Sequence, residues 1–104
     1  MISIILPTYN EADNIKLIVP KISKLFTDRD IKGEIIVVDD NSPDGTADLA
    51  RTLSQEYPVR VYVRKNERGL ATAVMKGFEL ARGEICLIMD ADLSHPVDKI
   101  PEMI

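Results

Sequence analysis

Hydrophobic residues in this chain form short apolar runs, and segments with helical spacing of apolar residues separate these runs. The runs predict four β-strands, over residues 2–6, 35–38, 59–63 and 85–89. The first, second and fourth runs are apolar almost throughout, which is typical of strands buried on both faces. Valines alternate with polar side chains in residues 59–63, and this predicts an edge strand with one exposed face.

Three amphipathic helices are predicted between the strands. The first begins near residue 14 with Asp13 as its cap, and Pro20 is expected to kink it or to delay its start. The second helix covers residues 46–56 and the third covers residues 70–81. The inward face of the third helix is predicted to consist of Leu70, Ala73, Val74, Gly77, Phe78 and Ala81.

Strands and helices alternate along the whole chain, an order typical of a parallel sheet with right-handed crossover connections. We therefore expect one α/β domain over residues 1–104, with helices on both faces of the sheet. With the strand order 3-2-1-4, the winding reverses between the first and fourth strands. Ligands of open α/β sheets bind outside the carboxyl ends of the strands at such a reversal.

Acidic residues follow three of the four strands. Glu11 lies in the loop after the first strand, Asp39 and Asp40 end the second, and Asp90 and Asp92 follow the fourth. Alternate residues of an extended chain point to the same side, so Asp90 and Asp92 are expected to converge. Two carboxylates held so close are costly unless a proton or a cation lies between them. This pattern indicates a hard divalent metal ion and a phosphate-bearing partner.

Acids near strand ends also act as helix caps, and this interpretation suits Asp13 and Asp44. His95, before a proline, is typical of a turn, and the loop residue Arg64 is either solvated or in contact with phosphate. Cys86 is expected to be inert packing within a buried strand. Tyr9 has no helix or strand face to pack on, which favours a role in stacking on a base. Met75 and Met89 are expected to fill the core.

Composition narrows the class of protein. The net charge of −4 and the pI of about 4.9 argue against a general nucleic-acid binder. A single cysteine excludes a disulfide within the chain. No apolar stretch approaches the roughly 20 residues that span a bilayer, and the first residues form a strand pattern, not a signal peptide. We expect a cytoplasmic protein, either free or at the cytoplasmic face of a membrane.

Glycine-rich phosphate-binding motifs are missing from the sequence. Neither GxGxxG after the first strand nor GxxxxGK[ST] is present, which argues against a dinucleotide site and a P-loop. If a nucleotide binds, a metal ion must hold its phosphates, and the acids are available to bind that ion or to accept hydrogen bonds from the sugar and base.

Three segments carry a family resemblance. Residues 4–11 (IILPTYNE), 37–46 (VVDDNSPDGT) and 89–96 (MDADLSHP) together resemble family 2 glycosyltransferases with a GT-A fold. Within that family, the pattern is similar to the polyprenol (dolichol) phosphate mannosyltransferases as a group. The resemblance extends over essentially the whole chain. The three segments also occur in the order and at the spacing that the family shows.

The resemblance implies a transferase that moves a hexose, usually mannose, from a nucleoside diphosphate sugar such as GDP-mannose to a polyprenyl or dolichyl phosphate, with inversion and with Mg²⁺ or Mn²⁺. It implies substrate contacts from Pro7, Tyr9, Glu11, Val38, Asp40 and Asp90. It implies metal ligands at Asp90, Asp92 and Ser94, with Asp90 and Asp92 as catalytic residues. Ser94 occupies a position where some members carry Gln, a longer ligand.

Family members are longer than this chain, so residues 1–104 are expected to be a donor-binding portion whose apolar sheet edge favours self-association. Three alternative functions compete with this interpretation. A nucleotidyltransferase requires a glycine-rich, basic first loop, which residues 7–11 do not provide. A phosphoacceptor signalling domain requires an acidic pair after the first strand and a lysine at the end of a later strand. In this chain the acidic pair follows the second strand, and no such lysine is present. A nucleotide-binding module without catalysis remains compatible with the sequence.

Overall fold

The computed structural model describes residues 1–66 and 69–91. Within these ranges, four strands form one parallel sheet: β1 (Ile2–Thr8), β2 (Gly33–Asp39), β3 (Val59–Val63) and β4 (Ile85–Ile88). Three helices alternate with them: α1 (Ala12–Asp28), α2 (Thr46–Leu53) and α3 (Leu70–Leu80). The sheet order is β3-β2-β1-β4. The predicted α/β fold and the order 3-2-1-4 are therefore confirmed.

Each face of the sheet has its own apolar layer because side chains alternate along a strand. Ile4 and Leu6 of β1 face α1 and α2, in a cluster to which α1 contributes Ile15, Ile18, Val19 and Ile22. Ile5, between them, faces the other way and packs with Val38 and with Ala73 of α3. Helices thus cover both faces, as predicted, and the sheet positions the loops at its carboxyl ends.

Pro7 lies within β1, although it was predicted to close the strand. The backbone of Ile5 faces β4, since its carbonyl accepts a hydrogen bond from the Met89 N–H at 3.0 Å. Pro7 faces the same side two residues later, but the pairing of β4 with β1 ends at Ile5 and Ile88. The missing N–H of Pro7 therefore costs no ladder bond, and β1 continues to Thr8.

Two predictions about the start of α1 are wrong. The helix begins at Ala12 and continues through Pro20, so of the two effects expected of the proline the delayed start does not occur, and the kink stays a prediction. Asp13 lies in the first turn, exposed, in an ion pair with Lys16 at 3.7 Å, and is not the cap. Burial of Ile18, Val19 and Ile22 around Pro20 offsets the hydrogen bond that a proline removes, since each such side chain contributes about 1.5–3 kcal/mol.

The layer formed by α3 and β4 is less buried than predicted. Leu70 and Met75 are each 63% exposed, and Phe78 is 47% exposed. Only the small residues Ala73 and Gly77 of α3 are buried. The helix lies so close to the sheet at Gly77 that a Cβ there would lie 2.5 Å from the Ile5 Cγ2 atom. α3 therefore approaches the sheet at a narrow stripe, and its large side chains remain outside.

β4 was predicted to be buried on both faces, but within the described ranges it is an edge strand paired only with β1. Ile85 and Ile88 are accordingly exposed, and Cys86 is half-buried against the α3 side of the sheet. Met89 is buried, as predicted. In residues 1–66 and 69–91 there is no helix that is both long and apolar enough to span a bilayer.

Candidate functional site

The carboxyl ends of the strands lie together at one edge of the sheet. We call this the carboxyl edge and define it as residues 8–12, 39–46, 64–66 and 89–91. The Asp40 N–H donates to the Thr8 carbonyl at 3.0 Å, which joins the ends of β2 and β1. With β4 on the other side of β1, Glu11, Asp40 and Asp90 follow neighbouring strands at this edge, as the strand order predicts.

Asp39, the last residue of β2, is fully buried. One carboxylate oxygen accepts hydrogen bonds from the hydroxyls of Thr8 at 2.7 Å and Ser42 at 2.6 Å. The other accepts from the Ser42 N–H at 2.8 Å. Asp39 therefore lies at the same edge as Asp40, as predicted, but it is buried there and fastens β1 to the loop after β2.

The loop after β2 holds the loop after β1 through three side chains. Ser42 Oγ, Thr46 Oγ1 and Asp44 Oδ2 accept hydrogen bonds from the successive backbone N–H groups of residues 10, 11 and 12, at 2.8, 3.1 and 3.2 Å. Unpaired N–H groups at a helix start need such partners. These bonds explain why α1 begins at Ala12 without a cap from its own side chains.

Asp44 also serves the start of α2. Its Oδ1 accepts from the Thr46 N–H at 3.0 Å and from the Thr46 hydroxyl. Desolvation alone raises the pKa of Asp44, but the hydrogen bonds from Thr46 and Ala12 outweigh it and lower the pKa below its ordinary value. Asp44 thus accepts hydrogen bonds from the first N–H groups of α2 and α1, although Gly45 occupies the N-cap position of α2.

Two asparagines let these loops turn. Asn10 and Asn41 have φ angles of 56° and 57°, in the left-handed region that asparagine adopts more readily than most residues. Gly45 has a φ of 85° immediately before α2. The sequence NSPDG between β2 and α2 therefore has residues suited to its backbone as well as to its hydrogen bonds.

Asp40, the second acid after β2, is bound to Arg64. Arg64 Nε donates to Asp40 Oδ1 at 2.7 Å, and the Gly69 N–H donates to Asp40 Oδ2 at 3.2 Å. The side chain of Asp40 is 14% exposed, whereas that of Arg64 is 3% exposed. Arg64 is therefore neither solvated nor placed at the surface for phosphate, the two alternatives considered from the sequence.

The remaining predicted substrate residues differ in accessibility. Tyr9 is 43% exposed, and Pro7 and Glu11 are half-buried. Glu11 Oε2 accepts a 2.7 Å hydrogen bond from Asn14 Nδ2. The Val38 side chain is fully buried in the layer under α3, so any contact between Val38 and a ligand has to come from its main chain.

The predicted metal ligands lie at the end of the described chain. Asp90 is exposed directly after the buried Met89. Asp92 and Ser94, together with His95, lie outside the described residues. Across residues 1–66 and 69–91 no group of three or more His, Cys, Asp or Glu side chains is arranged to hold a metal ion. The proposed ligand set is thus represented there by Asp90 alone.

Sequence patterns did not predict that Ser42, Asp44 and Thr46 hold the loop after β1, although Asp44 was expected to cap a helix. They also did not predict the buried position of Arg64. The signal available for the first three was their spacing, since acceptor side chains at alternate positions follow the acidic strand end. No pattern in the sequence marks Arg64 as the partner of Asp40, because the pair is 24 residues apart.

The strand order, the crossovers and the acidic carboxyl edge define the Rossmann-like half of a glycosyltransferase of the GT-A type. The pattern of glycosyl transferase family 2 matches residues 3–104, and the chain belongs to this family. The dolichol-phosphate mannosyltransferase of Pyrococcus furiosus is 45% identical over 103 residues, which are 99% of this chain and 29% of that protein. The enzyme of the same name from Saccharomyces cerevisiae is 45% identical over 106 residues, covering 97% of this chain and 39% of that protein.

A solved mannosyltransferase structure also resembles this chain. The mannosyltransferase PcManGT from Pyrobaculum calidifontis, in complex with GDP-Man and Mn²⁺, matches with a TM-score of 0.71 and 33% identity. The match covers 88% of this chain and 27% of that one. This chain therefore spans less than two fifths of the length of each of these three relatives.

Proposed function

We propose that this chain is the donor-binding portion of an inverting glycosyltransferase that transfers mannose from GDP-mannose to a polyprenyl or dolichyl phosphate. The observation that carries this proposal is the match to two dolichol-phosphate mannosyltransferases over nearly the whole chain. The carboxyl edge supports it, because Tyr9 and Glu11 follow β1, Asp40 follows β2 and Asp90 follows β4, and the winding reverses between β1 and β4.

The nucleoside is proposed to lie against the loop after β1 and the end of β2. The exposed ring of Tyr9 offers a face for stacking on the guanine, and Pro7 and Glu11 complete this side of the site. Asp40 retains acceptor capacity beyond its two hydrogen bonds, because each carboxylate oxygen accepts two. It is proposed to accept a hydrogen bond from the ribose or the base.

The diphosphate is proposed to be held through Mg²⁺ or Mn²⁺ by Asp90, Asp92 and Ser94. Carboxylate and hydroxyl oxygens are hard ligands of the kind these ions prefer, and Asp90 at the end of β4 fits that role. When bound, the ion neutralises the negative charge that develops on the leaving diphosphate. The hydroxyl of Ser94 is shorter than a glutamine side chain, so a water molecule is proposed to lie between it and the ion.

The acceptor is proposed to be a lipid monophosphate. With a second pKa near ~6, as in phosphorylated side chains, its phosphate is largely dianionic at neutral pH and needs little help from a general base. Attack on the face opposite the leaving group inverts the anomeric carbon. Because the acceptor is anchored in a bilayer, we propose that the protein works at the cytoplasmic face of a membrane.

Calorimetric titration of the chain with GDP-mannose, GDP and UDP, each with and without Mn²⁺, tests donor binding. The proposal predicts metal-dependent binding of GDP-mannose and GDP, with UDP weaker. A folded sample that binds none of the three contradicts it. Metal-dependent binding without mannosyl transfer to dolichyl phosphate would favour the alternative of a nucleotide-binding module that lacks catalysis in this chain.

The phosphoacceptor alternative requires an acidic pair after the first strand, whereas the acidic pair of this chain lies at the end of β2 and is already engaged. Asp39 is fully buried in hydrogen bonds, and Asp40 is bound to Arg64. Incubation with acetyl phosphate followed by intact mass measurement is expected to show no added phosphoryl group. A mass increase of one phosphoryl group at Asp39 or Asp40 would revive that alternative.

A further inference from the structure

We propose that Arg64 is a positioning residue for the donor site, an inference that rests on the proposed function: its guanidinium fixes the Asp40 carboxylate in the orientation that receives the nucleoside. Arg64 Nε binds Asp40 Oδ1 at 2.7 Å. The second oxygen of Asp40 accepts from the Gly69 N–H at 3.2 Å. With both oxygens held, the plane of the carboxylate is set, and the unused acceptor positions point in fixed directions.

Arg64 is itself held by every nitrogen of its guanidinium. Nη1 donates to Thr72 Oγ1 at 2.7 Å and Nη2 to the Gly69 carbonyl at 2.9 Å. Its main-chain N–H donates to the Asp39 carbonyl at 2.8 Å. A planar fork of donors suits this set of acceptors, whereas a lysine ammonium has no such fixed geometry. The side chain is almost fully buried, so its effect on a ligand passes through Asp40.

β3, the strand that precedes Arg64, provides a second arginine for comparison. Arg60 donates to Glu34 Oε1 through Nε at 3.2 Å and Nη2 at 2.8 Å, at the amino end of the sheet. That pair also joins β3 to β2 and reaches the main chain of α3 at the Leu80 carbonyl, at 2.6 Å. Glu34 lies far from the carboxyl edge, so the Arg60 pair contributes to stability alone and Arg60→Met is a matched control.

The experiment measures the affinity of the chain for GDP with Mn²⁺ by calorimetry, in wild type, Arg64→Met, Asp40→Asn and the double variant. Loss of one charge-assisted hydrogen bond within a buried pair corresponds to about a tenfold change, so Arg64→Met is expected to weaken GDP binding about tenfold or more. In the Asp40→Asn background the same substitution is expected to change the affinity less than about twofold, because Arg64 acts through Asp40.

Three further comparisons separate positioning from general stabilisation. Affinity for pyrophosphate with Mn²⁺ is expected to stay the same in Arg64→Met, because pyrophosphate lacks the nucleoside that Asp40 receives. Arg60→Met is expected to lower the melting temperature while leaving the affinity for GDP unchanged. Arg64→Lys, which keeps the charge without the fork, is expected to restore only part of the affinity lost in Arg64→Met.

Distinct results overturn the inference and the proposed function. If the folded wild-type chain binds neither GDP nor GDP-mannose, both fail. If wild type binds but the Arg64 and Asp40 effects add, or Arg64→Met weakens pyrophosphate as much as GDP, only the positioning role fails. Should Arg64→Met not fold by circular dichroism, Arg64→Lys and Thr72→Val replace it, and an unchanged affinity for GDP in both contradicts the inference.

Discussion

Thr8 and Asp39, paired across β1 and β2, are joined by a 2.7 Å hydrogen bond from the threonine hydroxyl to a carboxylate oxygen at the buried end of both strands. Because Asp39 makes this bond, the two neighbouring acids at the end of β2 have different roles. Asp39 is enclosed and holds loops together, whereas Asp40 follows the strand at the rim beside Arg64. The carboxyl edge is therefore a rigid frame as well as a set of candidate ligand contacts.

Replacing Asp39 with Ala is expected to destabilise the fold by about 1–3 kcal/mol for each buried donor left without a partner, chiefly the Thr8 hydroxyl and the Ser42 N–H. Urea unfolding measures the loss. Asp48→Ala is the control, since Asp48 is an exposed acid of α2 in an ion pair with Arg51. Equal stabilities of the two variants would contradict the structural role of Asp39.

Replacing Ser42 with Ala is expected to speed hydrogen exchange at the Asn10 amide, because Ser42 Oγ is its acceptor. Replacing Asp44 with Ala is expected to do the same at Ala12. Exchange followed by NMR resolves the two sites. Amides at the centre of β2, such as Val37, serve as the internal control. If the two variants change exchange at Asn10 and Ala12 no more than at Val37, the loops are not coupled in this way.

Glu34 makes the stability of the fold dependent on pH. Desolvation raises its pKa, but hydrogen bonds from Ser3, the Arg82 N–H and Arg60, with the charge of Arg60, lower the pKa below its ordinary value of 4.5. A lowered pKa in the folded state means that the unfolded chain binds more protons below about pH 4.5, so this contribution is complete above that pH. It is lost as the pH falls through the folded pKa.

The measurement is the free energy of unfolding in urea between neutral pH and the acid limit. Glu34→Gln is expected to be less stable than wild type at neutral pH and to lose less stability on acidification. Glu84→Gln, an exposed acid on the loop before β4, is expected to follow the wild-type curve. Parallel curves for wild type and Glu34→Gln would show that Glu34 is not the group responsible.

β4 offers its outer edge and two exposed isoleucines, and self-association through this edge stays a prediction. Sedimentation of the wild-type chain at rising concentration is expected to show association that Ile88→Lys reduces, because a charge on an edge strand opposes pairing. Leu17→Lys is the control, since Leu17 is 54% exposed on α1, away from β4. Association that responds equally to both substitutions would place the contact elsewhere.

The sequence predicted what depends on local pattern. Apolar runs located the four strands of the described residues, and alternation marked β3 as an edge strand, because the period of a strand is visible in its own residues. Errors arose where distant residues decide the outcome. Pro7 stays in β1 because β4 is short, and α1 begins early because another loop supplies its acceptors.

Burial of side chains and pairing of charged residues also depend on distant residues, so the sequence did not predict them. The apolar pattern of residues 70–81 is helical, but how much of α3 is covered depends on what packs against it, and only its small residues approach the sheet. The sequence did predict that the acids following the strands lie together at one edge of the sheet. Their separation into the enclosed Asp39 and the Arg64-bound Asp40 depends on contacts across strands that no local pattern records.

The central claim is that a metal-bound nucleotide lies at the carboxyl edge of this sheet. Paramagnetic line broadening by Mn²⁺, measured on the backbone amides of the chain in the presence of GDP, tests it most directly. The account predicts selective broadening at residues 9–12, Asp40 and Asp90, while the opposite edge, at Glu34 and Glu84, keeps sharp signals. Broadening centred on that opposite edge, or spread evenly over the chain, would contradict it.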